Sequence, residues 1–380
     1  MQYCDQPDPW RPLGMMIDLY VLPILCIIGL ALNLACLYVF SRRTSIEITN
    51  ENSEVLERIS QKVVSTDSRY YQEVLPHGKR KYKLTRRSHP LVPTLIVLSV
   101  CDSLQLLFSL FVLFLPALHD YLEMDPWGLV AQTAYIATGT LAGGLLASNC
   151  ASIWTMCYIT IQRHRAIVQP LSTVTTSKSS KTVLPLVGIA IVALLFNAPV
   201  WFQYSWSIQK VDDDSRWFLI HEPSALWENR DYRFVMHQVL YPIAVYLIPL
   251  ILISVLNMRI LSYISSKRVE SVGHKRRMTR ERRSIYLLIS IVVLFFLCHT
   301  GGLVIRFVDH QKHEHSACFI FLKDVVNLLF NVNSFANPML YFFFTNQFRD
   351  LRTTWVIARN NSPRKLLLKK VASHKSITSQ

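Results

Sequence analysis

Long stretches without charged side chains dominate the hydrophobic pattern of this chain. Six of them lack Asp, Glu, Lys and Arg altogether, and they cover residues 19–40, 126–162, 182–209, 234–258, 284–305 and 325–348. A seventh stretch, residues 91–118, is interrupted only by Asp102. Because a helix needs roughly 20 apolar residues to cross the hydrocarbon core of a bilayer, the pattern predicts an all-α membrane protein with seven transmembrane helices.

Composition and charge set the predicted orientation of these helices. Of 380 residues, 51% are hydrophobic and 17% are charged, which is too apolar for an ordinary soluble domain. If the N-terminus is extracellular, the inner loops and the tail carry most of the 40 Lys and Arg residues, as cytoplasmic segments do. Most of the basic residues behind the net charge of +15 then face anionic lipid and cytosolic partners. We therefore expect a multi-pass plasma-membrane protein that does not bind nucleic acid.

Three segments follow from this topology. Residues 1–16 form an extracellular N-terminus, residues 17–345 the seven-helix domain, and residues 346–380 an interfacial helix with a cytoplasmic tail. Phe348, Leu351 and Trp355 share one face of that short eighth helix, a pattern typical of a helix lying in the membrane interface. The first inner loop, residues 42–90, is far longer than two neighbouring helices need. It is either a solvated loop or an amphipathic, lipid-binding segment.

Polar residues inside the spans are candidates for a buried site, because polar groups in hydrocarbon persist mainly where they have partners. Asp102 is the only deeply placed acid. Its candidate partners lie in spans one, three and seven: Asn33, Ser152, Asn333, Ser334 and Asn337. Asp102, Ser152, Asn333 and Asn337 together predict a sodium site. The alternative is a hydrogen-bonded network without an ion.

Cysteine usage leaves one candidate disulfide. Six of the eight cysteines fall within apolar spans, and only Cys4 and Cys318 lie on predicted outer segments, where oxidation can occur. They either form a disulfide or are two unrelated thiols.

At this point the sequence resembles the rhodopsin-like (class A) G-protein-coupled receptor family. The motifs occur in the family's order: Gly29 with Asn33, LSVCD at residues 98–102, QRHRAIVQPL at 162–171, Pro249, FFLCH at 295–299, and NPMLY at 337–341 followed by Phe348. The resemblance covers residues 29–355. Within the family, ASIW at residues 151–154, Asn257 and the Cys298-His299 pair look most like invertebrate FMRFamide-type neuropeptide receptors.

The resemblance implies a receptor rather than an enzyme, without a resident cofactor, that activates a heterotrimeric G protein. It assigns activation and coupling to residues of the two inner motifs: Gln162, Arg163, His164, Asn337, Pro338 and Tyr341. The chain also departs from the family. Gln162 replaces the usual acid beside Arg163, which predicts raised ligand-free signalling, because a neutral hydrogen bond is weaker than a charge-assisted one. His299 and Gly301 replace the usual tryptophan and proline of span six.

A further departure concerns the outer loops. Thr138 stands where the family's span-three cysteine belongs, and the long loop at residues 210–233 contains no cysteine. The disulfide common in the family is therefore expected to be absent.

The ligand class is narrowed by substitutions and by charge. Leu145 stands where amine receptors place an aspartate, and Asn331 where opsins place the retinal lysine, so neither class fits. Acidic residues of the outer loops predict a vestibule that attracts a basic, amidated peptide. The predicted ligand-binding residues are Asn149, His299, Asp324 and Asn327. A chemoreceptor for a small environmental molecule is the alternative within the receptor class, and a transporter or channel is the alternative outside it.

Overall fold

Seven long helices form the protein in a computed structural model that describes residues 10–41, 91–168, 180–210, 217–270, 275–307 and 316–344. They are α1 (Trp10–Ser41), α2 (Leu91–Tyr121), α3 (Leu129–Val168), α4 (Ser180–Asn197), α5 (Arg230–Ser266, continuing to Glu270), α6 (Lys275–Arg306) and α7 (Ala317–Phe344). All seven are long and apolar enough to cross a membrane, as the sequence predicts.

The outward faces of the helices are apolar, whereas polar side chains are concentrated inside the bundle. Ile24 of α1, Leu195 of α4 and Ile251 of α5 are all more than half exposed. Asp102, Ser152 and Ser334 are fully buried. This distribution reverses that of a soluble helix and suits a bundle surrounded by lipid.

A two-stranded β-hairpin covers one end of the bundle. Strand β1 (Tyr204–Lys210) pairs antiparallel with β2 (Trp217–Pro223), in a register that places Trp206 opposite His221. The prediction that span four continues to residue 209 was wrong. The helix ends at Asn197, a 3₁₀ turn follows over Ala198–Phe202, and the next residues form β1. A run without charges can be strand as well as helix, and Pro199, inside the 3₁₀ segment, interrupts the helical pattern.

Three of the helices contain π-helical segments near the end that carries the hairpin, called the hairpin end below. These are Ile17–Val21 in α1, Leu110–Phe114 in α2, and Phe234–Leu240 and Pro242–Leu247 in α5. Each extra residue in a turn rotates the following side chains, and such segments occur frequently at functional sites. In α5 the two segments contain His237 and Tyr246, which both line a cavity between the helices.

Helix α3 is the centre of the bundle and packs against α2, α4, α5 and β2. Small residues on α3 allow bulky neighbours to approach, since a side chain at Gly143 would lie 2.6 Å from the Trp201 ring and one at Gly139 would lie 2.5 Å from the Trp206 ring. On α6, a side chain at Gly302 would lie 2.4 Å from the Phe330 ring of α7. The glycines of span six therefore permit close packing of α6 against α7.

Several predicted segments lie outside the described residues. These are the inner loop at 42–90, the interfacial helix and tail from residue 345 onward, and Cys4. At the N-terminus, α1 begins at Trp10, inside the segment predicted as an extracellular arm.

Candidate functional site: a buried polar network below a cationic cavity

Asp102 is the centre of a hydrogen-bonded network that joins α2, α3 and α7. The Ser152 hydroxyl donates to one carboxylate oxygen at 2.6 Å, and the Asn337 amide donates to the other at 2.9 Å. All three side chains are at least 99% buried. Ser152 and Asn337, which the sequence suggested as partners of Asp102, therefore contact it directly.

A second set of bonds extends this network along α7 and to α1. The Ser334 hydroxyl donates to Gln105 Oε1 at 2.9 Å, and Gln105 Nε2 donates to the Phe330 carbonyl at 3.0 Å. Asn33 Nδ2 donates to the Ser334 carbonyl at 3.1 Å. Each of these bonds crosses between helices, so a shift of α7 would change several bonds together.

Two amide oxygens of the network have no hydrogen-bond partner among the described residues. They are Asn33 Oδ1 and Asn337 Oδ1, both buried. Buried polar atoms are nearly always satisfied by protein, water or an ion. Asn333 is also buried, at 3% exposure. The donor set around Asp102, a carboxylate with hydroxyl and amide oxygens, has the chemistry of a sodium site.

A cavity of about 270 Å³ lies between the helices towards the hairpin end. Its wall includes residues from α2, α3, α5, α6 and α7 together with the segment before α5: Gln105, Ser109, Leu113, Leu145, Leu146, Asn149, Trp227, His237, Tyr246, Gly302, Ile305, Arg306, Lys323, Val326, Asn327, Phe330 and Asn331. Gln105 belongs both to this wall and to the network, so the two features are contiguous.

Two of the four predicted ligand-binding residues line the cavity. They are Asn149 of α3 and Asn327 of α7. Asn149 is 4% exposed, and its Oδ1 has no hydrogen-bond partner within the described part of the chain. Leu145, at the position where an amine receptor would need an acid, also lies in the wall.

His299 lies one layer below the cavity. Its ring stacks on Phe295 at 4.3 Å between centroids and packs against Tyr246 and Phe330, which do line the cavity. Its Nδ1 is 3.0 Å from the Phe295 carbonyl oxygen, and the side chain is 2% exposed. His299 was predicted to bind the ligand at the floor of the pocket. It lies one layer deeper, behind the aromatic rings that line the cavity.

Asp324 points away from the cavity, towards α1. The cavity residues of α7 are Lys323, Val326, Asn327, Phe330 and Asn331, and Asp324 is not among them. Its carboxylate faces Asp18 and lies beside Gly14. Asp324, a predicted ligand-binding residue, therefore does not line this cavity, because position in sequence alone does not specify the helix face.

The charged residues of the cavity wall were missed by the sequence analysis. Arg306 and Lys323 both line the cavity, and so does His237. Arg306 ends an otherwise uncharged span at the hairpin end, which is the signal that could have identified it. For Lys323 and His237, the helix face had to be known first.

The hairpin is attached to α3 without a disulfide. The Gln132 amide donates to the Leu219 carbonyl at 2.7 Å and accepts from the Leu219 N–H at 3.0 Å. The Trp201 indole donates to the Thr140 carbonyl at 2.7 Å. Thr138, at the position of the family cysteine, donates to the Ala134 carbonyl of its own helix. These hydrogen bonds between the hairpin region and α3 form a polar clamp at the place of the disulfide that is common in the family.

His221 connects β2 to its surroundings through ring contacts. Its centroid lies 4.6 Å from that of Tyr204, 5.4 Å from that of Tyr135 and 5.5 Å from that of Trp206. Burial lowers the pKa of His221 below its usual value of 6.5. The neutral imidazole is therefore the form that fits this aromatic environment.

At the opposite end of the bundle, the Gln162 side chain is bonded to α2. Thr94 donates to Gln162 Oε1 at 3.0 Å. Arg163 and His164 follow on α3, both half-buried. Pro338 lies inside α7, whose final residues include Tyr341. The side chain of Tyr341 lies outside the part of the structure that is described.

The chain belongs to the rhodopsin family of seven-transmembrane receptors, whose model matches residues 85–341. It is 25% identical to the allatostatin-A receptor of Bombyx mori over 321 residues, covering 79% of this chain and 81% of that receptor. It is 24% identical to neuropeptide FF receptor 2 of Rattus norvegicus (53% and 51% covered) and 23% identical to a QRFP-like peptide receptor of Branchiostoma floridae (56% of each).

These matches confirm the expected class: a multi-pass membrane receptor rather than an enzyme, similar to neuropeptide receptors.

Proposed function

We propose that this chain is a plasma-membrane receptor for an extracellular peptide and that peptide binding activates a heterotrimeric G protein. Its relatives are named as receptors for allatostatin-A, neuropeptide FF and a QRFP-like peptide. The charge distribution supports an extracellular N-terminus, which places the hairpin and the cavity opening outside the cell and Arg163 inside it.

The observation that carries this proposal is the position of Gln105. Its side chain lines the cavity and is bonded to Ser334 and to the Phe330 carbonyl of α7. From Ser334 the network continues to the Asp102 side chain, which also accepts a hydrogen bond from Asn337. A ligand that contacts this wall can therefore favour one arrangement of α7 over another.

Activation then follows as a population shift. A ligand that binds more tightly to the active arrangement increases its population by the difference in binding free energy. In the proposed active arrangement, the ends of α3 and α6 that lie away from the hairpin separate. Arg163, with Gln162 and His164 beside it, becomes accessible to the G protein. Pro338 and Tyr341 mark the part of α7 that responds to the network.

A sodium ion is part of this proposal. Asp102 and Ser152 would supply a carboxylate and a hydroxyl, and the unpartnered Asn337 Oδ1 an amide oxygen. The hard oxygen donors suit an alkali cation, and Asn333 is buried on the same helix. A bound ion would stabilise the resting arrangement, since it holds α2, α3 and α7 together.

Two further expectations concern the outer surface. Basic residues of a peptide are proposed to face the exposed acids Glu222, Glu228 and Asp231. Cys318 is exposed, which leaves it accessible for the proposed disulfide with Cys4.

A small-molecule chemoreceptor is the second candidate function. The cavity, at about 270 Å³, is near the lower end of sites that enclose a drug-sized molecule. It is too small for a whole peptide, so a peptide would insert only one end.

The proposal is tested by expressing the receptor in cells and applying allatostatin-A, neuropeptide FF and a QRFP-like peptide with calcium, cyclic-AMP and G-protein readouts. A saturable response is expected. The Gln105→Leu variant should bind the active peptide but respond more weakly, whereas Ser103→Ala, whose hydroxyl bonds only to Ser99 of its own helix, should respond normally. A response to small molecules without any peptide response would favour the chemoreceptor.

A further inference from the structure

Basic side chains line the cavity. Arg306, Lys323 and His237 belong to its wall, and the described lining contains no acid. The acids at the hairpin end, such as Glu222 and Glu228, are exposed residues of the loop region, and Asp324 faces α1. The rim and the cavity therefore differ in the sign of their charge.

The Arg306 guanidinium is held in place by neutral groups. Its central carbon lies 3.8 Å from the centroid of the Tyr241 ring, and one terminal nitrogen is 3.3 Å from His237 Nδ1. Within the described residues, it has no carboxylate within salt-bridge distance. The Arg306 side chain also interacts with the side chain of Tyr246. A guanidinium offers five N–H donors in one plane, so donors beyond these contacts are left for a partner that enters the cavity.

Lys323 adds a second positive charge at the same cavity, and Asn149 adds an acceptor. Lys323 is exposed, one helical turn from Asn327 on the same face of α7. Asn149 Oδ1, on α3, is buried without a partner among the described residues. A buried acceptor without a partner is destabilising. The cavity thus combines cationic donors on α6 and α7 with an unmet acceptor on α3.

We propose that the segment of the ligand that enters this cavity carries a carboxylate, which binds Arg306 and Lys323 while an N–H of the same segment donates to Asn149 Oδ1. The inference rests on the proposed peptide function and specifies the chemistry of the inserted end. The carboxylate comes either from the C-terminus of the peptide or from an Asp or Glu side chain near its end. Basic residues elsewhere in the peptide remain at the acidic rim, so the ligand has opposite charges at its two contacts.

The size of the cavity agrees with this assignment. About 270 Å³ encloses one end of a peptide rather than its full length. A planar guanidinium can bind a carboxylate through two parallel hydrogen bonds, an arrangement that is stronger and more directional than a neutral contact. Selectivity for a carboxylate over an amide is therefore the expected behaviour of the site.

The test uses two positional-scanning pentapeptide libraries, one with a free C-terminal carboxylate and one with a C-terminal amide, on cells expressing the full chain. Each active peptide is then resynthesised with Asp or Glu changed to Asn or Gln. The comparison of the two libraries tests the C-terminal carboxylate, and the replacement of Asp or Glu tests a side-chain carboxylate. Receptor variants are Arg306→Gln and Lys323→Gln, with Arg230→Gln as the control, because Arg230 is exposed and does not line the cavity.

Removing the carboxylate from the active peptide should reduce its potency roughly tenfold or more, as expected for loss of a charge-assisted pair. Arg306→Gln should reduce the potency of the carboxylate peptide by a similar factor while changing the potency of its neutral analogue little. Arg230→Gln should change neither. Cell-surface labelling of each variant confirms that the receptor reaches the membrane, and Lys323→Gln provides a second reading if Arg306→Gln is poorly expressed.

The inference is overturned if neutral and carboxylate forms are equally potent, or if Arg306→Gln weakens both forms by the same factor, as a merely structural role would. Silence of both libraries overturns the peptide function itself, and with it the inference.

Discussion

The Gln132 side chain makes two hydrogen bonds to the backbone of Leu219, one as donor at 2.7 Å and one as acceptor at 3.0 Å. This pair extends the edge of the hairpin to α3 in the way that a neighbouring strand would. It joins the same two elements that a disulfide would join in most members of the family. A receptor with this clamp can bind or release its hairpin reversibly.

Gln132→Ala is expected to loosen the hairpin, since each hydrogen bond of this kind contributes about 0.5–1.5 kcal/mol. Amide hydrogen exchange of β2, measured on the receptor in lipid nanodiscs, should become faster. Thr133→Ala is the matched control, because Thr133 is only partly buried and bonds only to the Leu129 carbonyl of its own helix. Unchanged exchange in Gln132→Ala would show that the hairpin is held by its other contacts.

Gly139→Ala should lower the melting temperature of the purified receptor. The new methyl group would lie 2.5 Å from the Trp206 ring, and such overpacking costs about 1–3 kcal/mol. This exceeds the gain of about 1 kcal/mol from the better helix propensity of alanine. Gly188→Ala, where a methyl group meets nothing within 4 Å, should leave the melting temperature unchanged or raise it. The prediction fails if both variants are equally stable.

The attachment of β2 should weaken in acid through His221. Burial lowers the pKa of His221 in the folded protein. The stabilisation that the neutral ring gives to the hairpin is therefore fully present above about pH 6.5, the usual imidazole pKa. It decreases as the pH falls below that value towards the folded-state pKa. The rings facing His221 belong to Tyr135, Tyr204 and Trp206.

Hydrogen exchange of β1 and β2 measures this effect across the same pH range. His221→Phe keeps the ring packing and should remove the pH dependence once intrinsic exchange rates are corrected for. If the native and variant profiles coincide, another group is responsible.

Sodium should reduce ligand-free signalling by stabilising the resting arrangement. Replacing choline by sodium at constant ionic strength is expected to lower basal G-protein activation of the native receptor in membranes. Asp102→Asn should abolish the response to sodium, because it removes the carboxylate that accepts from Ser152 and Asn337. Ser103→Ala should retain it. An equal sodium effect in Asp102→Asn would place the ion elsewhere.

Gln162→Asp is expected to lower ligand-free activity, because an acid beside Arg163 restores a charge-assisted interaction about twice as strong as a neutral one. The change also disturbs the bond from Thr94, and Thr94→Val separates the two effects by removing that bond without adding charge. Basal G-protein activation at matched surface expression is the measurement. Equal or higher activity in Gln162→Asp contradicts the idea.

The sequence by itself determined the seven helices, because a run of about twenty uncharged residues has few alternatives in a protein this apolar. It also identified the partners of Asp102, since a buried carboxylate requires polar neighbours and only a few lie within the spans. Asn149 and Asn327 were found in the same way, as polar residues among apolar ones.

Only the tertiary structure decided which face each side chain occupies. Asp324 and Lys323 are adjacent in sequence, yet one faces α1 and the other the cavity, because neighbouring residues on a helix point about 100° apart. The hairpin and its Gln132 clamp depend on contacts between residues 87 positions apart, which no local pattern encodes. The two positive charges of the cavity likewise come together only when α6 and α7 bring Arg306 and Lys323 to the same wall.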